Sequence, residues 1–182
     1  MEEVAAAARR EAGPMNVREL LVELFGRIPD EVHVAVDGLS AADLADAPGE
    51  GCNTIGWLVW HLTRVQDHHV AELLGTEQVW TTEPWAGRFG VVAAADDTGY
   101  GHTPEQIAAV RPDGPDALIG YYEAVAARTA GLLADVTEDD LERVVDRRWD
   151  PPVTLGVRLV SVADDDIQHA GQAAYVRGLL GR

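Results

Sequence analysis

Apolar residues recur at every third or fourth position through four long stretches of this chain, and no sustained two-residue alternation competes with them. The first stretch starts behind Pro14, a residue suited to the first turn of a helix. It carries Val17, Leu20, Leu21, Leu24, Phe25 and Ile28 toward Val36, with Pro29 expected to kink or interrupt it. The second follows an N-cap at Asn53 or Thr54 and runs through Ile55, Leu58, Val59, Leu62, Val65, Val70, Leu73 and Leu74 to a C-cap at Gly75. The third spans about Asp116 to Ala134, and the fourth, capped by Thr154, reaches about Leu180. Helices of this length bury their apolar faces most simply against one another. The expected fold is therefore all-α, an antiparallel or crossed four-helix bundle.

The connections divide into plain and unusual ones. Residues 41–51 (AADLADAPGEG) read as connector, Thr103-Pro104-Glu105 opens a short capped helix, and Thr137 to Leu141 reads as a capped turn. Strand-like character around Val91 and Val153 is weak. Residues 76–103, between the second and third helices, form a long Trp-rich loop with Trp80, Trp85, Phe89 and Tyr100. A connection this long is usually functional or packed over something. Its aromatic side chains are expected chiefly to anchor it onto the bundle, and otherwise to wall a pocket. Residues 1–13 read as an N-terminal tail and 14–182 as a single bundle domain, in keeping with a chain of 182 residues.

Charge narrows the partners. Lys and Arg number 14 against 31 Asp and Glu, a net charge of −17, so the chain lacks the basic stripe that nucleic acid or an anionic membrane surface requires. No apolar run approaches the roughly 20 residues of a spanning helix, and the N-terminus lacks the apolar core of a signal peptide. The single Cys52 suits a reducing, cytoplasmic setting, and with no base nearby in sequence it reads as incidental.

Chemistry concentrates on two helices. Asp165 and His169 lie one turn apart on an otherwise apolar face of the last helix, about 6 Å along its axis. A carboxylate and an imidazole there are costly unless paired, hydrogen-bonded or bound to a cation, and an i, i+4 pair is what a divalent metal takes from one helix. On the second helix His61 sits among Leu58, Leu62 and Val65, whereas His68 follows at about 10.5 Å, too far to share an ion with it. His68 and His69 are expected to be solvated or to support other groups, and Asp67 to be a surface carboxylate in preference to an acceptor that fixes an imidazole tautomer. Together His61, Asp165 and His169 would supply three metal ligands and leave coordination positions open, the pattern of a catalytic site. Arg64 and Arg158 are candidates to clamp a carboxylate of a substrate or co-substrate. The competing readings are snorkelling of Arg64 to solvent and pairing of Arg158 with an acidic neighbour. Gln172 is placed to orient His169 or a bound ligand, or to bond between helices.

The segments Trp57-Leu-Val-Trp-His61-Leu62 and Asp165-Asp-Ile-Gln-His169-Ala-Gly-Gln172 resemble the paired motifs of the DinB/YfiT-like metalloenzyme superfamily. There, one histidine comes from the second helix and two ligands from an HxxxHxxQ-type motif on the last. Aspartate replaces the first histidine here, which is similar to the mycothiol-dependent maleylpyruvate isomerase branch. The resemblance covers the chain from the first helix to Arg177. It implies a divalent metal, zinc by expectation with nickel or another ion admissible, on His61, Asp165 and His169. It also implies a low-molecular-weight thiol as co-substrate in transfer or isomerisation. Arg-rich, Lys-free usage fits a high-GC bacterium, and an actinobacterium would favour mycothiol. Two alternatives stay open: a non-catalytic metal- or small-ligand-binding bundle, with a closing fourth ligand such as His68, and a metal-dependent hydrolase active without thiol. A homodimer is compatible with either.

Overall fold

The computed structural model describes residues 14–92 and 94–182, so the expected tail over residues 1–13 lies outside the described residues. In chain order the helices are α1 (Val17–Phe25), α2 (Ile28–Val36), α3 (Ala41–Leu44), α4 (Ile55–Leu74), α5 (Val79–Thr82), α6 (Trp85–Phe89), α7 (Pro104–Ala109), α8 (Pro115–Ala134) and α9 (Leu155–Leu179). A 3₁₀ turn at Asp139–Glu142 precedes a small antiparallel hairpin of β1 (Val144–Asp146) and β2 (Val153–Thr154). The core is a four-member bundle. α4 packs between α8 and α9, and the α1–α2 pair closes the bundle against α8 and α9.

Local chemistry sets the ends. Asn16 and Glu19 make a reciprocal capping box at the start of α1. Thr54, and not Asn53, caps α4 through its hydroxyl to the amide of Trp57, and α4 ends on Gly75 at φ +65°. Thr154 caps α9. The first expected helix is two helices. Pro29 lacks an amide hydrogen and its ring would strike the carbonyl four residues back, so α1 stops at Gly26 and α2 restarts with Pro29 in its first turn.

Three connections carry more structure than their sequences suggested. Ser40 and Asp43 form a capping box that winds the front of the 41–51 connector into α3. The long loop contains α5 and α6, pinned by Trp80 and Trp85 with ring centroids 5.4 and 5.5 Å from Tyr121 of α8. Val153 does pair into the hairpin, whereas the described residues around Val91 form no strand. The loop covers the side of α4 that a single amphipathic stripe would have left to solvent. Trp57, Trp60, Arg64 and Asp67 are consequently buried alongside the expected apolar face, while Gln66 is buried against Thr129 of α8. Among the described residues no helix is long and apolar enough to cross a membrane.

Candidate metal centre

α4 and α9 face each other in opposite directions, which brings His61 to Asp165 and His169. His61 Nε2 stands 4.0 Å and His169 Nε2 3.6 Å from Asp165 Oδ1, and one ligand atom from each of the three lies within 4.8 Å of the others. The imidazole planes meet at 76° with centroids 4.7 Å apart. Both rings have their protons assigned by the opposite nitrogen. His61 Nδ1 lies 2.5 Å from the carbonyl of Thr98, and His169 Nδ1 lies 2.9 Å from Gln172 Oε1. Both partners are acceptors, so each Nδ1 carries the hydrogen and each Nε2 turns a lone pair toward Asp165. Burial lowers the His61 imidazole from its ordinary value to about 4, which keeps it neutral. Burial raises the Asp165 carboxyl, His169 pulls the other way, and Asp165 Oδ2 is buried without a hydrogen-bond partner. Two fixed nitrogen lone pairs around an under-satisfied carboxylate make a donor set that fits a divalent cation.

The segment that holds His61 is itself tightly built. Asp97 Oδ1 accepts from the Gly99 amide (3.0 Å) and from His102 Nε2 (2.9 Å), while His102 Nδ1 accepts from Trp57 Nε1 (3.1 Å). Trp57 lies flat on His61, with centroids 4.7 Å apart and an interplanar angle of 7°. Gly99 has φ +93°, and a Cβ there would stand 2.8 Å from the Trp60 ring and 3.0 Å from His61 Nδ1. The absence of a side chain is what lets the backbone approach the imidazole.

Arg64 is fully buried, and the structure puts it under the loop. It donates to the carbonyls of Ala94 (3.2 Å), Ala95 (3.0 Å) and Asp97 (3.2 Å), to Gln78 Oε1 (2.7 Å) and to Tyr121 Oη (3.3 Å). Its guanidinium also lies 5.0 Å from the Trp80 ring centroid, so snorkelling to solvent is excluded. Asp67 likewise departs from the surface carboxylate expected of it. It accepts from the amides of Val79 (2.9 Å) and Trp80 (2.8 Å) and from Tyr121 Oη (2.9 Å), because the start of α5 offers free amides to a buried carboxylate.

Arg158 has the acidic neighbour that was its competing reading. It donates to Asp146 Oδ2 (3.1 Å) and to His69 Nε2 (3.0 Å). His68, His69 and Glu72 also cluster within 4.8 Å. The Arg158 N–H occupies the His69 Nε2 lone pair, and Arg148 stands 3.6 Å from Glu72, so two cations already contact that group. His68 Nδ1 faces Gln78 Nε2 at 3.2 Å, and no fourth His, Cys, Asp or Glu joins the His61 cluster among the described residues. Burial, with Arg158 reinforcing it, lowers His69 to about 3 from an ordinary 6.5. The unfolded chain therefore takes this proton first, and stability present above about pH 6.5 is lost as pH falls toward 3. Over pH 7 to 5 the loss is about 2 kcal/mol. Urea unfolding should show wild type losing that much relative to His69→Gln, and parallel pH curves would contradict it.

Gln172, His61, Asp165 and His169 were readable from helical spacing. Thr98, Gly99, Asp97 and His102 were not, because the group that fixes His61 is a backbone carbonyl in a loop without period. The one available signal was Asp97-Thr-Gly99, an Asx-turn sequence.

Relatives agree with this architecture. A crystal structure described as the conserved protein of locus from Enterococcus faecalis superposes with a TM-score of 0.84 at 31% identity, covering 92% of this chain and 99% of that one. No curated protein matches. The family model described as Mycothiol-S-transferase matches residues 20–181, from the middle of α1 to the end of the chain. A bundle that carries its histidine and Asp/His motifs on α4 and α9, inside a match of that extent, belongs to the mycothiol-S-transferase family.

Proposed function

We propose that His61, Asp165 and His169 hold a divalent cation, zinc by expectation, in an enzyme that uses a low-molecular-weight thiol of the mycothiol type to transfer to or isomerise a small substrate. One observation carries this reading: both imidazoles have Nδ1 tied to an acceptor, so both Nε2 lone pairs converge on Asp165 Oδ1. A bound ion would supply a Lewis-acidic centre that favours the thiolate form of a thiol. The protein's own groups do the rest. Thr98 and Gln172 prevent either ring from turning, and Trp57 shields one face of His61 from water. Asp165 Oδ2 is an unsatisfied acceptor for the proton a thiol must lose. Three protein donors leave positions open for that thiol, which favours catalysis over a closed structural site. A reducing, cytoplasmic compartment would keep both the thiol and exposed Cys52 reduced.

Metal content of untagged protein, measured by plasma mass spectrometry, tests the reading. Wild type should carry about one ion per chain and His169→Ala far less, since each open-site ligand is needed for affinity. Wild type that stays metal-free after zinc reconstitution overturns it. Thiol titration of the loaded protein then separates the transferase from a hydrolase, which would turn over without thiol.

A further inference from the structure

On another side of α4 the bundle leaves a pocket that the metal centre does not use. The turn joining α1 to α2 faces α4 and α8 across a space of about 310 Å³. Gln66 of α4 lies in its wall, five residues after His61 and so about 140° further round the helix. His61 faces α9, whereas Gln66 bonds to α8, so a molecule in this pocket stands apart from the ion site.

Two features of the wall select a ligand. The first is its lack of charge. Among the described residues, no Asp, Glu, Lys, Arg or His lines the pocket. Phe25 and Leu133 supply apolar bulk, while Ala127 and Ala130, both exposed, leave the α8 side of the mouth without any. An ion entering there would lose its water and gain no counter-charge. The second feature is one orphaned acceptor. Gln66 is 1% exposed, and its Nε2 donates to Thr129 Oγ1 at 2.7 Å. The Thr129 hydroxyl donates in turn to the carbonyl of Val125 at 3.0 Å, so its single hydrogen is spent and it can only accept from Gln66. That fixes the orientation of the amide and leaves Gln66 Oε1 buried without a partner. Water fits such a site poorly, because it needs two or more polar partners and an apolar wall with one spare acceptor offers too few.

Volume sets the size. A cavity of about 150 Å³ takes a benzene ring, and this one is about twice as large. We propose that the pocket binds a neutral, flat aromatic molecule of one or two rings carrying a single O–H or N–H, which it donates to Gln66 Oε1. The rings lie between Phe25 and the alanine face of α8. Removing their apolar surface from water supplies most of the affinity, and the hydrogen bond supplies the preference for a donor. Neither the metal nor the thiol chemistry is needed for this binding.

The test uses the full chain without added metal and indole as the probe. Calorimetric titration compares indole with 1-methylindole, which keeps the rings and lacks the donor, and with indole-3-carboxylate, an anion at neutral pH. Wild type should bind indole saturably, 1-methylindole about two- to tenfold more weakly and the carboxylate not measurably. Gln66→Leu should erase the preference for the N–H while both neutral rings still bind. Ala130→Trp fills the mouth from an exposed position and should abolish binding of both, with circular dichroism showing the helices intact. Absence of saturable indole binding by wild type, an N–H preference that survives Gln66→Leu, or binding that survives Ala130→Trp overturns the proposal. Should Gln66→Leu fail to fold, the surface variant and the wild-type ranking of the three probes still decide it. Neither substitution touches His61, Asp165 or His169, so metal content is measured on the same samples and a failure here leaves the ion site to its own test.

Discussion

Arg64→Met is expected to destabilise the metal-free protein by about 3–5 kcal/mol, the cost of breaking a buried charged network from one side. The guanidinium is completely buried, 3.7 Å from Asp67, and its loss strands three loop carbonyls, Gln78 Oε1 and the Asp67 charge. An unpartnered buried acceptor costs about 1–3 kcal/mol and a charge more, which is why the removal outweighs the favourable burial of methionine. Arg64→Lys should recover only part of the loss, because an ammonium cannot reach several carbonyls in one plane as the fork does. Urea midpoints measure both. Had Arg64 been a substrate clamp, its removal would raise KM and leave the midpoint in place, and that pattern would overturn the structural role.

Gly99→Ala is expected to weaken divalent-metal affinity by about 10–100-fold, the usual cost of disturbing a group that orients a ligating histidine. The new Cβ would sit 2.8 Å from the Trp60 ring and 3.0 Å from His61 Nδ1, and neither indole nor imidazole has room to retreat in the packed centre of α4. The loop must move instead, taking the Thr98 carbonyl away from His61. Gly101→Ala is the control. It has a similar φ of +75° but nothing within 4 Å of the added Cβ, so it bears the backbone cost alone. Competition against a chelating dye reads the two variants side by side. Equal affinities would show that the loop's approach to His61 is incidental.

How much of this was legible beforehand depends on whether a residue's role follows a helical period. The bundle, the break at Pro29, the facing of His61 toward Asp165 and His169, and the reach of Gln172 all follow from the regular spacing of side chains on α4 and α9. Arg64 and Asp67 illustrate what spacing cannot reveal. One face of α4 looked solvent-exposed because the residues that bury it come from an aperiodic segment, and a charged pair inside a helix reads as surface until its cover is known. The hairpin was faint for a related reason. Strands of three and two residues are too short to show alternation, and Asp146 at one end of the pairing is held by Arg148 and Arg158. Thr98 contributes a main-chain oxygen, a group every residue type provides.

That last point bears on how the protein can diversify. Because the His61 anchor is a peptide carbonyl, exchanging the side chain at position 98 leaves the acceptor in place as long as Gly99 and Arg64 preserve the path of the chain. Two residues further along, Tyr100 turns outward. The same strip of chain can therefore drift in what it offers to incoming molecules while its grip on the imidazole is inherited unchanged. The outward-facing ring and the anchor of the imidazole lie two peptide units apart, yet they are separately mutable.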